Sequence, residues 1–287
     1  MATRRGALDT VASVERRAAV ARARAAHASS TAERHTVLAD QAATEVLRDV
    51  HTRIAALHAS TASCHLTVAR LLDVYGGRLS TWVSEQDTPQ PVFMTGVAEA
   101  CGTGSAALTL VGAAFDQLAL SASDERARAA QELEFVLGEG PARDATRQRR
   151  PVSASGPMMS ILWPGYGPAL TELGTTEVAA VPLTVSDICV GALAVFDPAP
   201  GVIGSAAFAG LAEALTGSMI LSPDGEPGLY GGLDVRATVH QAAGMLAVQL
   251  DCPVADALEL IRAHAFTEGT SAQSVAARIL RGGLRLG

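Results

Sequence analysis

Eighty-eight residues pass before the first proline, Pro89, and alanine and arginine are frequent among them. Proline breaks a helix interior, because its ring clashes with the preceding turn and it has no N–H. The opening stretch is therefore free to run as long helices. Ser30-Thr31-Ala32-Glu33 has the form of a capping box, which predicts one helix ending near Ser29 and another starting at Thr31. The second helix carries Leu47, Val50, Ile54, Leu57, Thr61, Cys64, Val68, Leu71 and Tyr75, spaced alternately by three and four. That is an a/d seam over about four heptads, the pattern of a coiled coil. Two partners fit it: a second copy of the chain, giving a homodimer through the helical arm, or residues 8–28 folded back within one chain. Self-association is the favoured reading. His51, His58 and His65 repeat every seven residues beside the seam. They read as a solvated flank and not as a metal site, since helical metal pairs usually stand four apart. Imidazoles there would titrate near neutrality, so a pH-sensitive dimer is a second reading.

Composition excludes several function classes. The chain of 287 residues has no lysine and no asparagine, and all 22 basic residues are arginine. Without lysine there is no Walker A loop, no Schiff base and no kinase of the usual plan. The four cysteines, Cys64, Cys101, Cys189 and Cys252, are scattered and form no CxxC pair, which fits reduced thiols. Cys101 and Cys189 read as small core residues. The longest apolar run, residues 189–196, is far short of a membrane span and contains a glycine. Asp9 and Glu15 interrupt any signal-peptide pattern. These features predict a cytoplasmic protein. Net charge is −7, concentrated in residues 91–222, which hold 6 Arg against 13 acids and are unsuited to nucleic acid. No acid follows Glu268, while Arg278, Arg281 and Arg285 do, so a small basic edge is expected at the end of the chain.

The pattern divides the chain into a helical arm (1–88), an α+β domain (89–222), a linker (223–232) and a helical bundle (233–287). In the second region, residues 106–111 and 117–121 read as strands, and 178–185 with 189–196 as a strand pair turning at Ser186-Asp187. Helices are predicted over 92–101, over 123–137 with Ser123 or Asp124 as cap, and over 205–221. The last carries Phe208, Leu211, Leu215 and Met219 on one face. Helices around an antiparallel sheet give an α+β fold. In the last region, Val235, Val239, Ala242 and Leu246 form the inner face of one helix. Val254, Ala257, Leu258, Ile261 and Ala265 form that of a second, and Ser271 caps a third with Val275 and Ile279 inward. About fifty residues make a small core, so this bundle should lean on a neighbour or a dimer mate.

No catalytic constellation is expected, and the chain is read as a non-enzyme. No histidine lies between His65 and His240, so the α+β domain has no Ser-His or Cys-His dyad of its own. Glu132 and Glu134 stand two apart on a predicted helix and do not share a face. Met158 and Met159 precede Trp163-Pro164-Gly165-Tyr166, an aromatic and glycine-rich segment. Trp163 and Tyr166 are read as a ligand pocket, or alternatively as a surface loop folded over the sheet. In the bundle, Gly244 falls opposite the inner face, near Gln241. A mid-helix glycine costs about 1 kcal/mol relative to alanine, so a close approach of a nucleic-acid backbone or of another helix is expected there. Arg262 and His264 flank the apolar stripe of the next helix, and Arg262 is expected to be partly exposed. An arginine there suits phosphate or a splayed base, or simply solvates the flank.

These residues carry a resemblance. Val239-His240-Gln241-Ala242-Ala243-Gly244-Met245-Leu246, Ala257-Leu258, Arg262-Ala263-His264-Ala265 and Val275-Ala276-Ala277-Arg278-Ile279 resemble the ANTAR domain across residues 233–283. That domain is the three-helix RNA-binding output of bacterial transcription antitermination regulators. The run from Gln131 to Pro141, with Trp163-Pro164-Gly165-Tyr166 and Val181-Pro182-Leu183, looks like the GAF sensor domain that precedes ANTAR in actinobacterial regulators. The resemblance implies a dimeric, signal-responsive protein that binds paired RNA hairpin loops and prevents a terminator from forming. It implies an RNA face of Gln241, Gly244, Arg262, His264 and Arg278; it does not imply which ligand the GAF-like domain takes, and an unknown small ligand is left open. The asparagine-led motif of cyclic-nucleotide GAF domains cannot exist here, and no Cys-His pair of the bilin-attaching kind occurs. A bundle that docks on a protein partner, and a GAF-like fold kept only as a scaffold, are the competing readings.

Overall fold

The computed structural model describes residues 2–85, 90–113, 115–185, 187–217 and 234–284. Two long helices, α1 (Ala2–Asp40) and α2 (Glu45–Ser84), open the chain and lie antiparallel against each other. The expected break near Ser29 is absent, and α1 runs through it. Thr31 Oγ1 donates back to the carbonyl of His27, and Arg34 bonds Ser30 and Thr31. A hydroxyl satisfied four residues back can sit inside a helix. The true break is at 41–44, where Thr44 caps α2 by accepting from the Leu47 N–H.

Within the chain, the seam of α2 therefore meets α1, the partner that was read as second choice. Its C-terminal half is buried: Val68, Leu71, Leu72, Tyr75 and Leu79 pack with Val14, Ala18 and Ala21 of α1. Its N-terminal half is not. Leu57 is 66% exposed, and Val46, Leu47 and Val50 are exposed as well. His51 and His58 do not simply solvate a flank. Both face His35 across the hairpin, with His35 and His51 ring nitrogens 3.0 Å apart.

The rest of the chain is α3 (Phe93–Ala100), β1 (Ser105–Val111), β2 (Gln117–Ala122), α4 (Glu125–Leu137), α5 (Pro141–Gln148), β3 (Val152–Ser155), α6 (Pro157–Leu162), α7 (Tyr166–Glu172), β4 (Glu177–Val185), β5 (Ile188–Phe196), α8 (Ala206–Leu215), β6 (Asp234–Val235), α9 (Ala237–Leu250), α10 (Val254–Glu268) and α11 (Ala272–Leu280). The antiparallel sheet has the order β3-β4-β5-β1-β2, extended at the β2 edge by the two residues of β6. Alternation sorts its side chains into two layers. Leu108, Val181, Leu183, Leu193 and Val195 face α2, α3 and α8. Ala107, Ala122, Ala180, Ala192 and Ala194 face α4 and α5. That second face is rich in alanine, with Leu120, Val178 and Phe196 the larger side chains on it, so helices carrying Ala127, Ala130, Ala142 and Ala145 can lie close to it. Within the sheet, Gly191 of β5 leaves no room for a side chain: a Cβ would stand 2.1 Å from the Thr109 carbonyl oxygen of the neighbouring β1.

The four predicted strands and the Asp124 cap are present; the β4–β5 turn includes Ser186, which lies outside the described residues. Linker residues 223–232, Met219, Arg285 and the side chain of Val235 are likewise outside them. No helix among the described residues is long and apolar enough to cross a membrane.

Candidate nucleic-acid interface

α9, α10 and α11 form a three-helix bundle whose ends are set by local chemistry. Asp251 and Gly269 end α9 and α10 in the left-handed conformation, and Ser271 caps α11 by accepting from the Ser274 N–H at 3.1 Å. Val239, Ala242 and Leu246 point inward against Leu258, Ile261, Ala265, Val275 and Ile279. Val254 was expected in that core but is exposed, facing a cleft toward the α+β domain.

The bundle leans on its own chain. Phe135 of α4 is 4% exposed and belongs to the bundle's core. The guanidiniums of Arg236 and Arg262 lie over its ring, 4.1 and 4.4 Å from the centroid. Cations over an aromatic face are attracted by its quadrupole, most strongly where water is excluded. Arg236 is fully buried, donates to Glu132 Oε2 at 2.7 Å and to Gln117 Oε1 at 2.6 Å, and follows β6 on the sheet edge. The other oxygen of Glu132 accepts from the Ala272 N–H at 2.9 Å, at the positive end of α11. His240 Nε2 donates to the Gln117 carbonyl at 3.0 Å and stands 3.7 Å from Asp116.

The five residues of the predicted RNA face fall into three places. Arg262 is only 4% exposed, so its expected exposure is corrected: it lies on Phe135 and pairs with Glu259 at 2.7 Å. A helical wheel of α10 puts it at the edge of the apolar stripe, and α4 covers that edge. His264 and Arg278 come together around Glu268, with His264 Nε2 3.0 Å from Oε1 and Arg278 donating to Oε2. The Arg278 bond holds the Glu268 carboxyl below its usual range. Gln241 is exposed on α9. Gly244 is half-buried with nothing within 4 Å of where a Cβ would stand. Its outward position is as expected, and nothing among the described residues explains the glycine.

Sequence reasoning missed Phe266, which is 64% exposed on α10. Its signal was available, since it is the one aromatic in residues 233–287. It also missed Phe135, Arg236 and Glu132, whose roles depend on a contact between distant segments. The pocket read at Trp163 and Tyr166 is corrected too. Both are core residues, 1% and 0% exposed, stacked edge to face beneath the alanine-rich sheet face. Trp163 Nε1 donates to Asp144 Oδ2 at 2.9 Å.

Residues 229–280 match the family model of the ANTAR domain, which spans the bundle. No curated protein matches the chain.

Proposed function

We propose that this chain is a non-catalytic, signal-responsive regulator of transcription antitermination, in which the bundle binds paired RNA hairpin loops and keeps a terminator from forming. The observation that carries the reading is the ANTAR match over residues 229–280, a domain that binds RNA in antitermination. The α+β domain is read as its GAF-like sensor and the arm as its dimerisation element, in a cytoplasmic protein. Recognition would fall on the surface of α9, α10 and α11 that faces away from α4. Phe266, exposed on α10, offers a ring on which an unpaired base stacks, and Arg278 of α11 offers charge. Contact through Arg262 would require α10 to part from α4, which gives the sensor a direct hold on the output.

The test is binding of the full chain to an RNA with twin hairpins, against an unstructured RNA of equal length at the same salt concentration. Phe266→Ala is expected to weaken hairpin binding by about 1–3 kcal/mol, the worth of one stacked base. The ring is exposed, so its loss leaves the fold intact. No preference for the hairpins would sink the RNA reading and favour a bundle that docks on protein.

The exposed tip of the arm supports the dimer. Val46, Leu47, Val50 and Leu57 leave an apolar strip that α1 does not cover. Leu57→Asp would bury an unpaired carboxylate in such a contact, at a cost of several kcal/mol. Sedimentation is expected to show a dimer for the wild type and a monomer for the variant. A monomeric wild type would leave the seam as an intramolecular feature only.

A further inference from the structure

A cleft of about 420 Å³ lies between α5 and α10 and joins the two folded parts. Small-molecule sites typically occupy about 300–1,000 Å³. The α+β domain contributes Arg143 and Arg147 to it, and the bundle contributes Arg262 and His240. Apolar wall comes from Phe115, Val254 and Leu258. A narrower cavity lined by Thr109, Gln131 and Glu134 continues inward past Arg143 and Arg262.

Charge in this cleft is unbalanced. Two acids line it, and both have partners: Glu259 pairs with Arg262, and Asp116 stands by His240. Arg143 and Arg147 form no ion pair among the described residues. The Nε of Arg143 and the Nε of Arg262 are both buried without a hydrogen-bond partner, and the Arg262 side chain is 5% exposed. Burial, and then the charges of Arg147 and Arg262, make Arg143 a weaker base than usual, so the like charges feel one another. Glu259 and Glu134 offset part of this repulsion, but neither pairs with the Arg143 guanidinium: Glu259 is held by Arg262, and the Glu134 carboxyl by Gln131 and the Arg143 backbone N–H. A cleft that gathers three guanidiniums against two carboxylates, with two of the guanidiniums in no ion pair, is arranged for an anion. Arginine's fixed fork of donors matches the oxygens of a phosphate.

We propose that this cleft binds a small phosphate monoester, with the phosphate between Arg143 and Arg147 and its apolar body against Phe115, Val254 and Leu258. A phosphate monoester carries about −1.5 to −2 charge at neutral pH, which answers two unpaired guanidiniums; a carboxylate would answer one. The ligand touches both folded parts, so it binds the docked bundle better than a released one. It therefore shifts the population toward the state that keeps Arg262 on Phe135. That consequence rests on the RNA-binding reading, whereas the binding itself does not.

The experiment titrates the full chain calorimetrically with phenyl phosphate, with phenol and phenylacetate as neutral and singly charged controls. Phenyl phosphate is expected to bind saturably and to raise amide protection in α10. Phenol is expected not to bind, and phenylacetate to bind more weakly. Arg147→Ala should weaken phenyl phosphate by about tenfold or more. Arg147 is exposed and unpaired, so the unliganded protein should melt as before. Three results would overturn the proposal: no saturable binding at millimolar concentration, equal binding by Arg143→Ala and Arg147→Ala proteins, or phenylacetate binding as tightly. Loss of hairpin RNA affinity in Arg147→Ala without any phenyl phosphate binding would also overturn it, and would assign the arginines to RNA backbone. A chain that binds phenyl phosphate but no RNA would retain this site and lose the regulator reading.

Discussion

Phe135→Ala is expected to cost about 3–5 kcal/mol, the usual range for truncating a buried phenylalanine, and to take that stability from the bundle. The ring sits on α4, but it belongs to the core that holds Val239, Leu258, Ile261 and Val275. A bundle of this size has little apolar core to spare. Removing the ring opens a cavity there and strips two guanidiniums of their aromatic partner. Arg236 is the more sensitive of the two, because it is fully buried and its Nη1 has no hydrogen-bond partner. Native-state hydrogen exchange would locate the loss. Amides of α9, α10 and α11 should lose protection by about this amount while those of β1, β4 and β5 keep theirs. An equal loss across the sheet would mean that Phe135 serves the α+β core instead. Phe135→Leu, which keeps most of the volume, should fall between the two.

Phe135 also marks where sequence reading stops. Periodicity reports which face of an element is apolar, and it located β1, β2, β4, β5 and the three bundle helices. It does not report what covers that face. The seam from Leu47 to Tyr75 is one continuous pattern, yet half of it is buried under α1 and the sheet domain and half is exposed. Arg262 lies at the edge of its helix's stripe, and only the approach of α4 makes that edge interior. β3 escaped notice because Val152-Ser153-Ala154-Ser155 carries almost no apolar signal. Ser30 and Thr31 imitate a helix start because a hydroxyl that caps a helix also bonds back inside one. Trp163 and Tyr166 looked like ligand-facing aromatics beside glycines and proline. They are instead the bulk that fills the space an alanine-lined sheet leaves. Of the predicted RNA face, the outward position of Gly244 and the separate placement of Arg278 on α11 were readable from helical geometry. The clustering of His264 and Arg278 around Glu268 needed the turn at Gly269 to bring α10 and α11 together.

A buried carboxylate was not legible at all, and it yields the second large effect. Glu134 is 5% exposed on α4, accepting from Gln131 Nε2 at 2.9 Å and from the Arg143 N–H at 2.6 Å. Gly140 makes room for it, since a Cβ there would stand 2.6 Å from the Glu134 carboxyl carbon. Burial pushes its pKa up from 4.5 to about 7, against the pull of those two hydrogen bonds. Between these values the folded chain holds a proton that the unfolded chain has released. Stability therefore falls as pH rises through the window. Below 4.5 both states are protonated and the group contributes nothing. Above 7 both are ionised, and the folded chain bears the full cost of a buried anion, about 3 kcal/mol at 1.36 kcal/mol per unit. Glu134→Gln removes the titration while keeping an amide oxygen for the Arg143 N–H. Asp197 is held below its usual range by Thr176, Glu177 and Arg126, so it titrates on the acid side with the opposite sign. The difference between wild type and variant isolates Glu134 from that background. Urea unfolding at pH 5 and pH 8 should show the wild type losing about 2.5 kcal/mol more than Glu134→Gln over the interval. Parallel pH profiles for the two proteins would mean that Glu134 stays ionised in the fold, with its hydrogen bonds outweighing its burial.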